Sequence, residues 1–158
     1  MRKLNALSRL KLLEIVSRLR FFDQFNQDER RLLLEDKLHC YVCKKGFHIL
    51  REGERDTALY LVLSGDVSVI KRSLQRELGR VGAGNILGEG AFVTRQPRSA
   101  SAIAASDVIL LRLDNDGLKL LPARMREKIK DAIITEMAAR IVQLNERIAA
   151  SHPITKLS

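Results

Sequence analysis

The sequence predicts a mainly β domain with helices on both sides, and two observations support this fold class. Between Lys37 and Asp114, short runs rich in Val, Ile, Leu and Tyr alternate with glycine-containing turn signals. Before and after that region, apolar residues recur with helical spacing. Because the predicted strands are short and follow one another closely, the pattern is typical of a sandwich or a barrel rather than of βαβ units.

The amino-terminal segment, residues 1–36, is predicted to be helical and basic. Residues 3–20 have a helical pattern, and within residues 1–20 Glu14 is the one acidic residue among several lysines and arginines. A second helix is predicted to begin after Asn26, whose side chain can cap it, and to continue into Arg30–Glu35. The basic helix fits a solvated face, or docking on an anionic lipid or nucleic acid.

The central segment, residues 37–114, is predicted to contain seven strands. They are Leu38–Lys44, Phe47–Arg51, Ala58–Ser64, Asp66–Arg72, Glu77–Val81, Ser99–Ala105 and Asp107–Leu113. Gly65 is predicted to close a hairpin between the third and fourth of these strands, because glycine readily adopts the positive φ that a tight turn needs.

The last third is predicted to be helical over residues 115–150, followed by a tail at 151–158. Asn115 and Asp116 can cap a short helix, and Pro122 suits the first turn of a longer helix that runs to about Ala150. Apolar residues in that helix are spaced 3, 4, 3 and 4, at Ile134, Met137, Ile141, Leu144 and Ile148. This spacing fits the seam of a homodimer and a helix packed against its own core equally well.

Composition and charge limit the function classes. The 158 residues, 46% of them hydrophobic, are enough for one globular core. No apolar run reaches the roughly 18 residues of a membrane span. A net charge of +9 permits an anionic partner, whereas the 4% aromatic content and the absence of Trp argue against a stacking platform for single-stranded nucleic acid.

The two cysteines, Cys40 and Cys43, are predicted to be free thiols in a reducing, cytoplasmic compartment. Residues three apart in a strand face opposite sides, so the pair is a poor start for a zinc site, although His39 and His48 lie nearby. No metal site is therefore predicted. An enzyme is not predicted either, because no nucleophile–base pair accompanies the scattered histidines.

The segment GEGAFVTRQPRSA, residues 88–100, combines one acid and a proline-flanked arginine with several small residues. Arg98 can neutralise a cyclic phosphate and bond it with its planar guanidinium group. Glu89 can accept a hydrogen bond from a ribose 2′-hydroxyl group, and losing such a buried pairing costs roughly 1–3 kcal/mol. Gly88 and Gly90–Ala91 let a ligand approach the backbone amides. The segment thus suits an anionic sugar phosphate.

This segment resembles the phosphate-binding cassette of the cyclic nucleotide-binding domain family, which includes catabolite-activator-type regulators, kinase regulatory subunits and cyclic-nucleotide-gated channels. The motifs that carry the resemblance are Gly88-Glu89-Gly90-Ala91 and Pro97-Arg98-Ser99-Ala100, together with the glycines Gly46, Gly53, Gly65 and Gly84. The resemblance implies an eight-stranded antiparallel β-roll (a double-stranded β-helix or jelly roll) with amino-terminal helices and a long carboxy-terminal helix.

The resemblance also implies the ligand and its site. The ligand is cAMP or cGMP, because Ser99 suits either base. The resemblance favours cAMP. The implied ligand-binding residues are Gly88, Glu89, Gly90, Ala91, Arg98, Ser99 and Ala100, with Leu144 and Asn145 over the purine. Two departures stand out: Gly90 replaces a larger apolar residue, and Leu144 and Asn145 stand where activators that bind adenine often have hydroxyl groups.

The function implied is that of a regulatory sensor whose last helix closes over the ligand and acts on a dimer mate or on a downstream protein that the sequence does not identify. The residues after Ala150 are too few for a helix-turn-helix, so no DNA-binding domain is expected in this chain. The alternatives are a ligand-free interaction or scaffold protein on the same fold, a cGMP sensor, and a regulatory fragment of a larger channel, kinase or transcription regulator.

Overall fold

A computed structural model describes residues 1–4 and 8–151. In these residues nine strands form two antiparallel sheets, which confirms the predicted β-roll and adds a two-residue amino-terminal strand. One sheet has the order β1-β2-β9-β4-β7 and comprises β1 (Arg2–Lys3), β2 (Leu38–Cys43), β4 (Leu59–Ser64), β7 (Ile86–Leu87) and β9 (Val108–Leu113). The other has the order β3-β8-β5-β6 and comprises β3 (His48–Leu50), β5 (Val67–Lys71), β6 (Arg76–Val81) and β8 (Ser101–Ala104).

Helices precede and follow the roll. The preceding elements are α1 (Arg9–Ser17), a 3₁₀ turn (Arg20–Phe22), α2 (Gln27–Leu32) and a π-helical turn (Leu33–Lys37). A short helix, α3 (Glu89–Thr94), lies within the roll between β7 and β8. The following elements are α4 (Asn115–Lys119) and α5 (Ala123–Ser151).

The helix starts agree with the sequence signals in two of three cases. Asn26 forms a capping box with Glu29, in which each side chain bonds the other residue's backbone amide. Pro122 immediately precedes α5, and its carbonyl oxygen accepts the amide of Arg126 at 3.1 Å. At α4, however, the cap position belongs to Asp114. Asn115 instead donates its side-chain amide to Thr57 at 3.0 Å and ties the helix to the roll.

Alternation along the strands builds two apolar cores. In β4, Leu59 and Leu61 belong to a cluster shared with the helices, while Tyr60 and Val62 belong to a cluster shared by the two sheets. This is the period of two that a strand imposes on its side chains. The five-stranded sheet is therefore covered on both faces, by helices on one side and by the other sheet on the opposite side.

The predicted hairpin at Gly65 is wrong, because the strands it joins, β4 and β5, lie in different sheets. Gly65 has φ +89°, and a Cβ atom there would lie 2.3 Å from the carbonyl oxygen of Asp107. The glycine is needed as predicted, but its turn carries the chain from one sheet to the other. Ile86–Leu87 is a further strand that the sequence pattern did not predict.

The predicted helix over residues 3–20 is also only partly correct. Lys3 pairs with Tyr41 in an antiparallel ladder, so the chain begins as an edge strand. Residues 5–7 lie outside the described residues. The helix itself begins at Arg9, after the cap Ser8, and ends at Ser17.

The long helix α5 presents two different apolar faces. Met125, Ile129 and Ile133 are buried in the core. The residues of the predicted seam are exposed, with 38–63% of the surface of each accessible to solvent: Ile134, Met137, Ile141, Leu144 and Ile148. From residue 141 to 151 every position is exposed. The predicted tail, apart from Ser151 at the helix end, lies outside the described residues.

The two cysteines are free and face opposite sides of one strand, as the sequence predicts. Cys40 and Cys43 are free and buried, one in each core cluster, so they face opposite sides of β2. Burial raises the pKa of both thiols. Among the described residues no group of three or more His, Cys, Asp or Glu side chains is placed to hold a metal ion. The same residues include no helix with both the length and the apolar character of a membrane span.

Candidate ligand-binding site

The cassette forms a tight turn followed by a short helix. Gly88 occupies the position before α3 with φ +82°, in the left-handed region that favours glycine. A Cβ atom there would lie 2.6 Å from Nη1 of Arg98 and 3.0 Å from the carbonyl oxygen of Ala58. The turn at Gly88 is therefore packed directly against the guanidinium group that the sequence assigns to a phosphate.

The irregular segment that carries Arg98 is fixed by the loop after β3. The amide of Gly53 donates to the carbonyl oxygen of Arg98 at 2.8 Å. The amide of Arg98 donates to the carbonyl oxygen of Glu54 at 2.8 Å. Lys71 donates its ammonium group to the carbonyl oxygen of Ser99 at 2.5 Å. These bonds fix the backbone of the cassette on both sides of the arginine.

Arg98 is a buried cation, with only 3% of its surface exposed. Its Nη1 donates to the carbonyl oxygen of Gly88 at 3.0 Å, and its Nη2 donates to the carbonyl oxygen of Ala58 at 2.7 Å and to Oδ2 of Asp56 at 2.9 Å. Its Nε is buried and has no acceptor among the residues that the structure describes. A buried donor without an acceptor is costly, so an oxygen ligand that reached this N–H group would satisfy it.

Asp56 balances the charge of Arg98. Its carboxylate also lies 3.5 Å from Nη2 of Arg112. Burial acts to raise the pKa of Asp56, but the hydrogen bonds from Arg98 and from the amide of Ala58 outweigh burial and lower that pKa. Asp56 is thus an anion at neutral pH and holds Arg98 in place.

Glu89 is paired with a residue of α5. Its carboxylate accepts a hydrogen bond from Nη1 of Arg140, and Nη2 of the same arginine donates to the carbonyl oxygen of Ile86 at 2.6 Å. Only 15% of the Glu89 side chain is exposed. The carboxylate that the sequence assigns to a ribose hydroxyl group is therefore the point at which the cassette contacts the long helix.

A cavity of about 210 Å³ lies between α5 and the sheet edge formed by β5 and β6. Its lining from the roll comprises Val69, Leu78, Gly79, Arg80, Val81 and Asn85. Its lining from the helices comprises Arg20, Glu136, Ala139, Arg140, Gln143, Leu144 and Arg147. Arg140 joins this cavity to the cassette, because it lines the cavity and bonds Glu89.

The predicted site residues do not all line the cavity. Arg98 bonds the carbonyl oxygen of Gly88, and Glu89 follows Gly88 in the chain, although among the described residues neither Glu89 nor Arg98 lines the cavity itself. Leu144 lines the cavity, whereas Asn145 is exposed and does not.

The small residues of the cassette differ in their surroundings. Ala91 is buried, Ala100 is half-buried and Ser99 is exposed. Gly90 is exposed within α3, and a Cβ atom there would meet nothing within 4 Å. The departure at Gly90 therefore opens no gap in the packing, and its effect is confined to backbone freedom.

Sequence reasoning missed Asp56, Glu136, Arg140 and Arg147. Asp56 and Arg98 are far apart in the chain, so no local pattern links them. The helix residues did have a signal: polar residues at 136, 140, 143 and 147 are spaced 4, 3 and 4, which places them on one face of α5. That polar face adjoins the apolar stripe of α5, and the sequence pattern of the stripe fits a dimer seam rather than a ligand site.

The cassette, the roll and the helix define a ligand-binding regulatory domain, and comparison with known proteins assigns it. The family model described as "Cyclic nucleotide-binding domain" matches residues 42–124. The chain belongs to the cyclic nucleotide-binding domain family.

The curated relatives include a kinase regulatory subunit and a cyclic AMP receptor protein. A cAMP-dependent protein kinase regulatory subunit of Aspergillus fumigatus is 33% identical over 91 residues, which is 58% of this chain and 22% of the relative. A cyclic AMP receptor protein of Thermus thermophilus is 36% identical over 84 residues, 51% of this chain and 39% of the relative. The chain thus spans well under half the length of these curated relatives.

A solved structure matches nearly the whole chain. The cyclic nucleotide-binding domain from Methylobacillus flagellatus has a TM-score of 0.78 and 30% identity, covering 94% of this chain and 86% of that one. The eight-stranded roll with its flanking helices is thus the fold of the family, and the chain is a regulatory module of the cyclic-nucleotide-binding type.

Proposed function

We propose that this domain is a cyclic nucleotide sensor, with cAMP the favoured ligand, and that α5 transmits the bound state. Arg98 binds the cyclic phosphate and Glu89 binds the ribose 2′-hydroxyl group. Gly88, Gly90, Ala91, Ser99 and Ala100 form the small-residue wall of the phosphate subsite, and Leu144 covers the base. The likeness to proteins named for cAMP supports this ligand.

The observation that carries the proposal is the state of Arg98. The guanidinium group is buried and is held by one carboxylate and two carbonyl oxygens, and its buried Nε has no acceptor in the described part of the chain. A phosphate oxygen is the acceptor that such a guanidinium group binds well. The backbone amides at the start of α3 supply further donors on the same turn.

The contact between Glu89 and Arg140 supports the role of α5 as the output element. A ribose hydroxyl group that donates to Glu89 competes with Arg140 for the same carboxylate. Because Arg140 belongs to α5, ligand binding changes the contact that ties this helix to the cassette. A ligand that favours one arrangement of this contact shifts the population of the helix toward that arrangement.

The exposed apolar stripe of α5 supports a homodimer as the form in which the domain acts. Ile134, Met137, Ile141, Leu144 and Ile148 recur with coiled-coil spacing and are open to solvent in the single chain. We propose no catalytic role. Free, buried Cys40 and Cys43 fit the reducing cytoplasm that we propose as its location.

The test is calorimetric titration of the nucleotide-free protein with cAMP and with cGMP. Arg98→Lys and Glu89→Gln are the informative variants, since each keeps the size of the side chain and removes one proposed ligand bond. Arg55→Ala is the matched control, because Arg55 is exposed and lies in the loop beside Asp56. Circular dichroism establishes that each variant is folded.

The proposal expects micromolar or tighter binding by the wild type and by the control. Arg98→Lys is expected to weaken binding at least a hundredfold, because a lysine cannot supply the guanidinium geometry. If the folded wild type binds neither nucleotide, the proposed sensor function is refuted. The alternative that remains is a ligand-free interaction or scaffold protein on the same fold.

A further inference from the structure

One arginine in the cavity has no counter-ion among the residues that the structure describes. Arg20 pairs with Glu136, Arg80 pairs with Glu77, and Arg140 pairs with Glu89. Arg147 makes no hydrogen bond or ion pair within the described part of the chain, yet it lines the same cavity. Its five N–H donors are therefore available to a ligand.

Arg147 reaches across the cavity to a glycine of β6. Its Nη1 lies 3.6 Å from the position that a Cβ atom of Gly79 would occupy. Gly79 belongs to β6, whose pairing with β5 shifts register next to it. The guanidinium group thus extends from α5 across the cavity to β6, where it lies beside Gly79.

The chemistry of the cavity fits the base of a nucleotide. Val69, Val81 and Leu144 provide apolar contact for the faces of a planar ring, and Arg140 connects the cavity to the proposed ribose site at Glu89. A guanidinium group at the edge of such a ring distinguishes purines by their acceptors. Guanine offers two adjacent acceptors, N7 and O6, whereas adenine offers the acceptor N7 beside the N6 donor.

We propose that Arg147 contacts the edge of the purine base and favours guanine over adenine. This inference rests on the proposed function and adds a specificity residue to it. Arg147 does not decide which nucleotide binds more tightly overall. It narrows the preference for cAMP over cGMP by roughly tenfold, the lower part of the discrimination that one bidentate arginine–guanine pair provides.

The test compares the ratio of the dissociation constants for cGMP and cAMP among variants of the full chain. Arg147→Met removes the donors and keeps an unbranched apolar side chain. Arg147→Lys keeps the charge but cannot donate to two acceptors with one planar group. Lys130→Met is the matched control, because Lys130 is an exposed cation of α5 outside the cavity lining.

The expected result is a roughly tenfold loss of cGMP affinity in Arg147→Met and in Arg147→Lys, with cAMP affinity changed less than about threefold. The affinity ratio of Lys130→Met should equal that of the wild type. The analogue 7-deaza-cGMP, which lacks the N7 acceptor, should bind the wild type more weakly than cGMP but bind Arg147→Met as well as cGMP does.

Two results overturn the inference while the proposed function stands. One is an affinity ratio that Arg147→Met leaves unchanged, and the other is a wild type that binds cAMP without measurable binding of cGMP. Failure of the wild type to bind either nucleotide overturns the proposed function, and the role of Arg147 fails with it. Because Arg147 is exposed, a folding defect is not expected, and circular dichroism checks this.

Discussion

Two glycines of the cassette, Gly88 and Gly90, should respond to alanine substitution with opposite signs. In Gly88→Ala, a residue with a side chain must adopt φ +82°, which costs about 1–2 kcal/mol. Its Cβ atom would also lie 2.6 Å from Nη1 of Arg98. Moving that buried cation from its bond to the Gly88 carbonyl oxygen costs about 1.5–3 kcal/mol more.

The expected destabilisation of Gly88→Ala is therefore about 2.5–5 kcal/mol. In Gly90→Ala the new methyl group meets nothing within 4 Å, and the residue lies in α3. Alanine is preferred to glycine in a helix by about 0.5–1 kcal/mol, so this variant should be more stable than the wild type.

Urea unfolding followed by circular dichroism measures both differences. With a slope of about 1–3 kcal/mol/M, Gly88→Ala should lower the unfolding midpoint by at least about 0.8 M, and Gly90→Ala should raise it slightly. The displaced Arg98 should also weaken cAMP binding in Gly88→Ala alone. A loss below about 1 kcal/mol in Gly88→Ala would show that Gly88 is not packed against Arg98 as described. A destabilised Gly90→Ala would contradict the open surroundings of Gly90.

Three further predictions concern α5. Arg140→Gln removes the contacts to Glu89 and to the Ile86 carbonyl oxygen, so amide exchange in the later turns of α5 should become faster in the absence of ligand. Equal rates would contradict the claim that these contacts tie α5 to the cassette. The hydrogen bond from Lys128 to Glu29, outweighing burial, lowers the pKa of Glu29. The stabilisation that ionised Glu29 contributes is complete above the ordinary glutamate pKa of about 4.3. It is lost as the pH falls through the lowered pKa that Glu29 has in the folded protein. Glu29→Gln should therefore be less stable than the wild type at pH 7, with a difference that shrinks on acidification below about pH 4.3, as urea unfolding at several pH values would establish. Ile141→Glu places a charge in the exposed apolar stripe and should convert a dimer to a monomer in sedimentation velocity; a wild type that is monomeric at high concentration contradicts the dimer.

The central strands could be predicted from the sequence because each is a short apolar run that ends at a glycine or polar turn. Their partners could not. Gly65 signals a turn with positive φ, but nothing local states that the following strand joins the other sheet. Ile86–Leu87 is too short to show a period of two, and the pairing of Arg2–Lys3 with β2 depends on residues far along the chain.

The charged residues of the site show the same limit. Glu89 and Arg98 were found because they lie in one motif. Asp56, Arg140 and Arg147 act across the fold, and their roles depend on which residues they meet. The fixed spacing on one face of α5 reveals only that residues 136, 140, 143 and 147 share a surface; the cavity beside them appears once the helix is packed on the roll.

Amide hydrogen exchange across residues 123–151, with and without saturating cAMP, tests the central claim most directly. The account predicts that cAMP changes the exchange of the turns that contain Arg140 and Leu144, and that Arg98→Lys abolishes the change at the same cAMP concentration. Tight binding of cAMP with unchanged exchange throughout α5 would contradict the claim that this helix transmits the bound state.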